Sequence, residues 1–432
     1  MMRLIKVLWS YWHAKRIQFT TRESLEQYQT LKLNTFLKTI SKRSAYFRQY
    51  HSRPLSEWPM MDKNIMIANF ELMNTAGLKL EEVFEVALNA ESSRDFKQTL
   101  NGITVGLSSG TSGQRGVFAA SANETAQWAG IILSKTLPEG IFSGERVAFF
   151  LRANSNLYES VQSRWLTFRY FDLFDNFDLL IAQLSKFNPT IIVAPAQVLR
   201  ALALKNENGG LNIAPKRVIS VAEVLEEQDK TIIEKHLAKV HQIYQATEGF
   251  LACTCEYGTL HLNEEYVFIE PEWLDEVHER FVPIITDFSR TTQPIIRYRL
   301  NDILIASHGS CKCKSPCRAI KAIEGRCDDL LQLPGVSNHK IPVFADVMSR
   351  IIAKHLPLIA DYRLMQLSDV RLKLHLNTSA KETNTIIDSI HHDLQKMGVN
   401  TSVLQWDISF EMPPNQLTYK RRRIIKAKGL VS

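Results

Sequence analysis

The chain of 432 residues is long enough for a large domain and a smaller one, each with its own core. Hydrophobic residues supply 45% and charged residues 22%, the balance of a globular protein, which excludes a disordered or fibrous chain. The formal charge of +7, partly gathered in Lys420, Arg421, Arg422 and Arg423, suits anionic ligands but does not choose between nucleic acid, an acidic membrane surface and phosphate-bearing small molecules.

Residues 1–19 include Leu4, Ile5, Val7, Leu8 and Trp9, but Lys6, His13, Lys15 and Arg16 interrupt or follow them. No segment approaches the roughly 20 apolar residues of a membrane span, and no apolar run leads to a signal cleavage site. The expectation is a cytoplasmic protein. Six cysteines, grouped as Cys253/Cys255, Cys311/Cys313/Cys317 and Cys327, then point to metal binding or catalysis rather than disulfides.

In chain order, the first hundred residues read as helical, with Leu25, Leu31, Leu33, Phe36, Leu37 and Ile40 at helical spacing. Pro59 breaks the pattern before Asp62 caps another helix. Over residues 104–326 short apolar runs alternate with amphipathic ones: strands are predicted at 147–151, 191–193, 218–221 and 295–298, and helices at 176–186, 196–204 and 227–238. After about residue 330 the pattern restarts. Phe344, Val347, Met348, Ile351 and Ile352 trace one helix, 370–376 alternates as a strand, and Ile386, Ile387, Ile390 and Leu394 trace a second helix. The expected fold is α/β, a large domain over 1–329 with its sheet flanked by helices and a small C-terminal α+β domain over 330–432.

The most informative stretch is Leu107-Ser108-Ser109-Gly110-Thr111-Ser112-Gly113-Gln114-Arg115-Gly116. Its glycines permit close backbone approach, its hydroxyls and amides donate hydrogen bonds, and Arg115 adds a fixed positive charge, a combination suited to polyphosphate. Residues 106–110 also fit the G-x-S-x-G nucleophile elbow, and a surface loop is the ordinary alternative. A Walker loop is excluded, because the Gly-Lys-Ser/Thr ending is missing.

This loop resembles the phosphate loop of the adenylate-forming superfamily of acyl-CoA synthetases and related ligases, with Arg115 where lysine is usual. Tyr244-Gln245-Ala246-Thr247-Glu248 resembles its Y-G-x-T-E motif, Tyr298-Arg299-Leu300-Asn301-Asp302 its Y-R-T-G-D motif, and Gly325-Arg326-Cys327-Asp328-Asp329 its G-R-x-D-D segment. Singly, these tyrosines also read as core aromatics and these acids as solvated or capping groups; together they stand in family order. Segments 59–63, 260–264 and 287–290 are similar to the phenylacetate-CoA ligase and coenzyme F390 synthetase branch.

The resemblance implies roles. Ser108, Ser109, Gly110, Thr111, Ser112, Gly113 and Arg115 would hold the ATP phosphates, Ala222 and Glu223 would contact adenine, and Tyr244, Gln245, Asp302 and Arg326 would bind the nucleotide, Asp302 through the ribose diol. Thr247 would bond the α-phosphate and Glu248 would hold Mg2+. Lys420 is the expected catalytic cation of the small domain, with Lys426 and Lys428 as alternates; the same basic run also reads as a nucleic-acid patch or a solvated tail. Asp328 would be the hinge of a mobile C-terminal lid. Cys255, His261, Cys311 and Cys313 offer the donors of a structural Zn2+ site, which this branch carries in a similar arrangement, with Cys253 and Cys317 in reserve and buried free thiols as the alternative.

The implied reaction is ATP-dependent adenylation of an aryl or other small carboxylic acid, releasing pyrophosphate, followed by transfer of the acyl group to CoA or the phosphopantetheine of an acyl carrier protein. Two alternatives stay open: adenylylation of a phenolic hydroxyl, as in F390 synthetase, and a non-catalytic nucleotide- or nucleic-acid-binding protein on the same fold. By analogy with the family, the acid pocket is expected around Tyr158, Trp165 and the segment 222–244. Oligomeric state is not legible.

Overall fold

The computed structural model describes residues 2–108, 115–137, 139–152, 165–337, 339–377, 383–413, 417 and 420–427. The N-terminal part is helical as expected. Helix Arg22–Arg43 is capped by Thr21 and buries Leu25, Leu33, Phe36, Leu37 and Ile40, whereas Leu31 falls off that face and is exposed. Asp62 caps the short helix Lys63–Ala68, accepting a 2.8 Å hydrogen bond from the Ile65 amide. Helix Met2–Arg16 packs on helix Ala122–Thr136 at Gly130, where a Cβ would stand 2.6 Å from Ser10 Cβ. Only glycine permits that approach.

Among the described residues a twelve-stranded sheet forms the centre of the molecule. Its parallel half runs, in spatial order, Val240–Ala246, Arg217–Ser220, Ile191–Ala194, Glu145–Leu151 and Leu166–Asp172. Glu145–Leu151, Ile191–Ala194 and Arg217–Ser220 are predicted apolar runs, largely buried because helices cover the sheet, whereas Leu166–Asp172 and Val240–Ala246 were not predicted. From Glu145–Leu151 the chain steps first to one neighbour, Leu166–Asp172, and then to the other, Ile191–Ala194, so the winding reverses there and opens a crevice at the carboxyl ends. The other half is antiparallel and continues through Gly249–Thr254, Leu260–Leu262, Ala319–Arg326, Asp302–Ser307, Arg280–Asp287 and Val267–Trp273. The predicted strand at 295–298 is Ile295–Arg299, which pairs beside Arg280–Asp287. The predicted helices are Phe177–Phe187, Ala196–Glu207 and Glu227–His236; the last stops early because Leu237 leaves helical geometry.

A second core joins residues between Leu331 and Ile424. Strands Gln405–Ser409, Arg371–Leu376, Tyr362–Gln366 and Ile424–Lys426 form its sheet, packed by helices Ala345–Lys354 and Thr383–Lys396. The architecture is the expected α/β fold with a smaller α+β unit at the C-terminal end. No helix among the described residues is long and apolar enough to cross a membrane.

Candidate active site

The crevice at the strand ends gathers most of the motifs. Strand Thr104–Leu107 pairs with Val117–Ala120, and the Ser108 amide donates to the Gly116 carbonyl at 2.8 Å while the Ser108 Oγ accepts from the Gly116 amide at 2.8 Å. Ser109, Gly110, Thr111, Ser112 and Gly113 lie outside the described residues. Ser108 lines the cleft. Arg115 is held elsewhere: its guanidinium meets both Glu91 oxygens, at 2.8 and 2.5 Å, and its Nε donates to the Ser108 carbonyl. The expected phosphate cation is thus already committed to a carboxylate. Lys63 instead lines the cleft beside this hairpin, with its Cε 3.7 Å from where a Cβ on Gly116 would lie. It arrives there because Met61 exchanges backbone hydrogen bonds with Arg297 and Arg299 on either side of Tyr298.

Tyr244 and Asp302 come from different strands and meet directly, the Tyr244 hydroxyl donating to Asp302 Oδ2 at 2.7 Å. Burial and the Asp302 charge push the Tyr244 hydroxyl well above its ordinary pKa, so it stays a donor. Arg326 Nε is 3.7 Å from Asp302 Oδ1. Gln245, Thr247 and Glu248 line the same cleft. Glu248 accepts from the Tyr298 hydroxyl, and its carboxyl lies above the usual carboxylate range because burial, with Asp302 nearby, outweighs that bond and Arg290. Its remaining oxygen capacity suits a divalent cation, whose charge would restore the ionised form. The Thr247 carbonyl accepts from Arg290 at 2.7 Å, which fixes the turn.

Ala222 takes a left-handed conformation, φ 65°, at the end of Arg217–Ser220, a strained state for a non-glycine residue that bends the loop across the cleft. Glu223 beside it is nearly fully buried and is bound by Arg152 at 2.7 Å and by the Gln197 side-chain amide at 2.9 Å. It therefore anchors the loop.

Lys420 enters this cleft from the C-terminal segment, near Arg326, Asp302, Arg152 and Glu223. Burial, then Arg326, holds its amine below the usual lysine range. The rest of the basic run is neutralised inside the protein. Arg421 and Arg423 both pair with Asp229, Arg422 with Asp329, and Arg423 also with Glu226 and Asp361; the Arg423 side chain is 2% exposed. Among the described residues of this run, Arg421, Arg422 and Arg423 are thus paired with carboxylates. Lys426 lies on Ile424–Lys426, and Lys428 lies outside the described residues.

Away from the cleft, Cys255, His261, Cys311 and Cys313 converge, with one donor atom of each within 4.8 Å of all the others. Cys255 and Cys311 sulfurs are 3.6 Å apart, and Cys313 Sγ is 3.3 Å from His261 Nε2. Tetrahedral bonds of about 2.3 Å to sulfur and 2.0–2.1 Å to nitrogen would place donors at such separations. His261 Nδ1 donates to the Cys317 carbonyl at 3.0 Å, which leaves Nε2 free as a ligand. Cys253 and Cys317 are not in this group.

The expected acid pocket is met in part. Ala222, Glu223, Val224, Ile243 and Tyr244 line the cavity, whereas Tyr158 lies outside the described residues and Trp165 is 43% exposed and does not line it. Trp128, Phe149 and Phe168 build the rest of the wall. Sequence reasoning missed these, together with Lys63 and Arg152; the apolar spacing of Trp128, Ile131 and Ile132 was the only signal, and it reads equally as core.

No sequence-family model matches the chain, and no curated protein matches it. Solved structures do. A 2-hydroxyisobutyryl-CoA ligase in its postadenylation state with 2-HIB-AMP aligns with a TM-score of 0.66 at 15% identity, over 94% of this chain and 89% of that one. This chain has the fold of the adenylate-forming ligases. The same ligase in its thioesterification state aligns at 0.53, with 14% identity over 94% and 90% of the two chains. A benzoate CoA ligase from Burkholderia xenovorans LB400 aligns at 0.52, with 13% identity over 76% and 69%.

Proposed function

We propose that this protein is an ATP-dependent adenylate-forming ligase that joins a carboxylic acid to AMP, releases pyrophosphate, and passes the acyl group to the thiol of CoA or of a carrier protein. The observation that carries the reading is the meeting in one cleft of Asp302, Glu248, Thr247 and Lys420, drawn from separate elements and facing the hairpin that ends at Ser108. The fold it shares with CoA ligases supports it.

In this reading Asp302 accepts the ribose hydroxyls, and Tyr244 and Arg326 hold its carboxylate in place. The strained Ala222 loop, anchored through Glu223, lies along adenine. Lys63 and Ser108 face the leaving pyrophosphate. Glu248 would hold Mg2+, which supplies charge neutralisation at the phosphates. Thr247 and Lys420 stabilise the charge that builds as the carboxylate oxygen attacks the α-phosphate, a step in which two anions must approach. The second core, from about residue 330, acts as a lid hinged near Asp328, which accepts from Asn301 at 2.6 Å. Cys255, His261, Cys311 and Cys313 would hold Zn2+ as a structural clip.

The test is ATP–pyrophosphate exchange over a panel of acids, with Glu248→Gln and Lys420→Ala as controls. Acid-dependent exchange that falls by at least about 100-fold in both variants supports the reading. CoA-dependent release of AMP separates a thioester-forming enzyme from one that stops at an adenylylated hydroxyl. Nucleotide binding without exchange for any acid rejects acid adenylation and leaves the hydroxyl-adenylylating and non-catalytic readings.

A further inference from the structure

The cleft that holds the nucleotide groups continues inward, between helix Ala122–Thr136 and the sheet, as a channel that activation of a small acid does not require. The whole cavity, nucleotide cleft and channel together, measures about 1720 Å3. Thr125, Trp128, Ile132 and Thr136 recur on one helix face and line it, and the lining runs from Glu124 to Leu137. At about 1.5 Å per residue that wall is roughly 20 Å long.

The facing wall is the parallel sheet. Val147 and Ile191, paired side by side, both line the cavity at the amino ends of their strands, the side away from the nucleotide groups. From Leu151 at the cleft back to Val147 the channel descends about 13 Å. Leu133, Leu137, Val147 and Ile191 are at most 3% exposed, so this end is closed. The described residues that line the channel inward of Trp128 and Phe149 carry no charge, so no carboxylate or phosphate finds a partner there.

We infer that the substrate is a medium- to long-chain aliphatic carboxylic acid whose alkyl chain fills this channel, in place of the aryl or small acid expected from sequence. The inference rests on the adenylation reading for the position of the carboxylate, beside Thr247 and Lys420. The channel itself selects by length. Each methylene that enters it strengthens binding about fourfold until the closed end is reached, and longer chains are rejected.

The experiment measures ATP–pyrophosphate exchange on the full chain with straight-chain acids from acetate to palmitate, with benzoate alongside, and dodecanoate binding by calorimetry without ATP. The expected result is kcat/KM rising stepwise with length to a maximum and then falling. Val147→Phe at the closed end lowers the dodecanoate-to-hexanoate ratio by at least about tenfold, and Thr136→Trp, at a half-buried helix position, gives the same readout should Val147→Phe not fold. Exchange with benzoate or acetate that gains nothing from added methylenes overturns the chain-length inference and leaves adenylation standing. Dodecanoate binding with no exchange for any acid supports the channel and removes the adenylation reading. Neither binding nor exchange overturns both.

Discussion

Arg423 sets its Nη2 3.0 Å from Asp229 Oδ1, and that contact joins the residue leading into strand Ile424–Lys426 of the C-terminal sheet to helix Glu227–His236 beside the large one. Asp229 is fully buried and also receives Arg200 at 3.0 Å and Arg421. Gln228 adds hydrogen bonds to the carbonyls of Leu358 and Ala360, at 2.6 and 2.9 Å. The two cores thus meet through a desolvated ionic cluster.

Replacing Asp229 by Ala leaves three guanidiniums without their shared buried anion. Breaking such a cluster from one side costs about 3–5 kcal/mol. Urea denaturation of Asp229→Ala is expected to register that loss, with the segment around 420–427 becoming sensitive to protease. Burial opposes ionisation of Asp229, but Arg421, Arg423 and Arg200 outweigh it and lower its pKa. The contribution is therefore present at neutral pH and lost as pH falls below the ordinary carboxylate range. A variant that unfolds like the parent would sink this account.

A second pH dependence runs the opposite way. Burial, then the neighbouring Asp346, pushes the Glu324 carboxyl up to about 8, against the pull of Arg280. The folded protein then keeps a proton that the unfolded chain releases near 4.5, so stability falls as pH rises between about 4.5 and 8. The slope is at most about 1.4 kcal/mol per pH unit. Glu324→Gln is expected to flatten it, as thermal unfolding across that window would show.

Tyr244 and Asp302 make a separable pair. Hydrogen bonds to charged groups contribute about 1.5–3 kcal/mol, so Asp302→Ala is expected to raise KM for ATP by roughly 10- to 100-fold. Tyr244→Phe removes only the bond that orients the carboxylate and is expected to cost about tenfold or less. Equal effects in steady-state kinetics would mean that Tyr244 does more than position Asp302.

At the cysteine cluster, metal analysis of the purified protein is expected to find one zinc ion per chain, and essentially none in Cys311→Ser or after chelation. Activity at low temperature persists in the chelated protein while thermal stability drops, because the cluster lies outside the cleft. Loss of ATP–pyrophosphate exchange at once on chelation, with the fold intact by circular dichroism, would contradict a structural role.

Much of this protein was legible in its sequence because the governing signals are local. Apolar periodicity placed strands such as Glu145–Leu151 and Ile191–Ala194 and helices such as Ala196–Glu207, and the break near residue 330 marked the start of a second core. The segments around Tyr244, Tyr298 and Gly325 carry their chemistry within five residues each, so their residue types alone suggested a nucleotide site. What only the tertiary structure decided were partnerships between distant elements. Arg115 reads in sequence as a phosphate cation, yet Glu91 holds it; Lys63 reads as an ordinary helix-start residue, yet it reaches the cleft through Met61. The run Arg421 to Arg423 reads as free charge because its counter-ions, Asp229, Asp329, Glu226 and Asp361, lie 60 or more residues away. Trp128 and Ile132 read as core, since periodicity reports which face of a helix avoids water and not whether protein or an open channel lies against it.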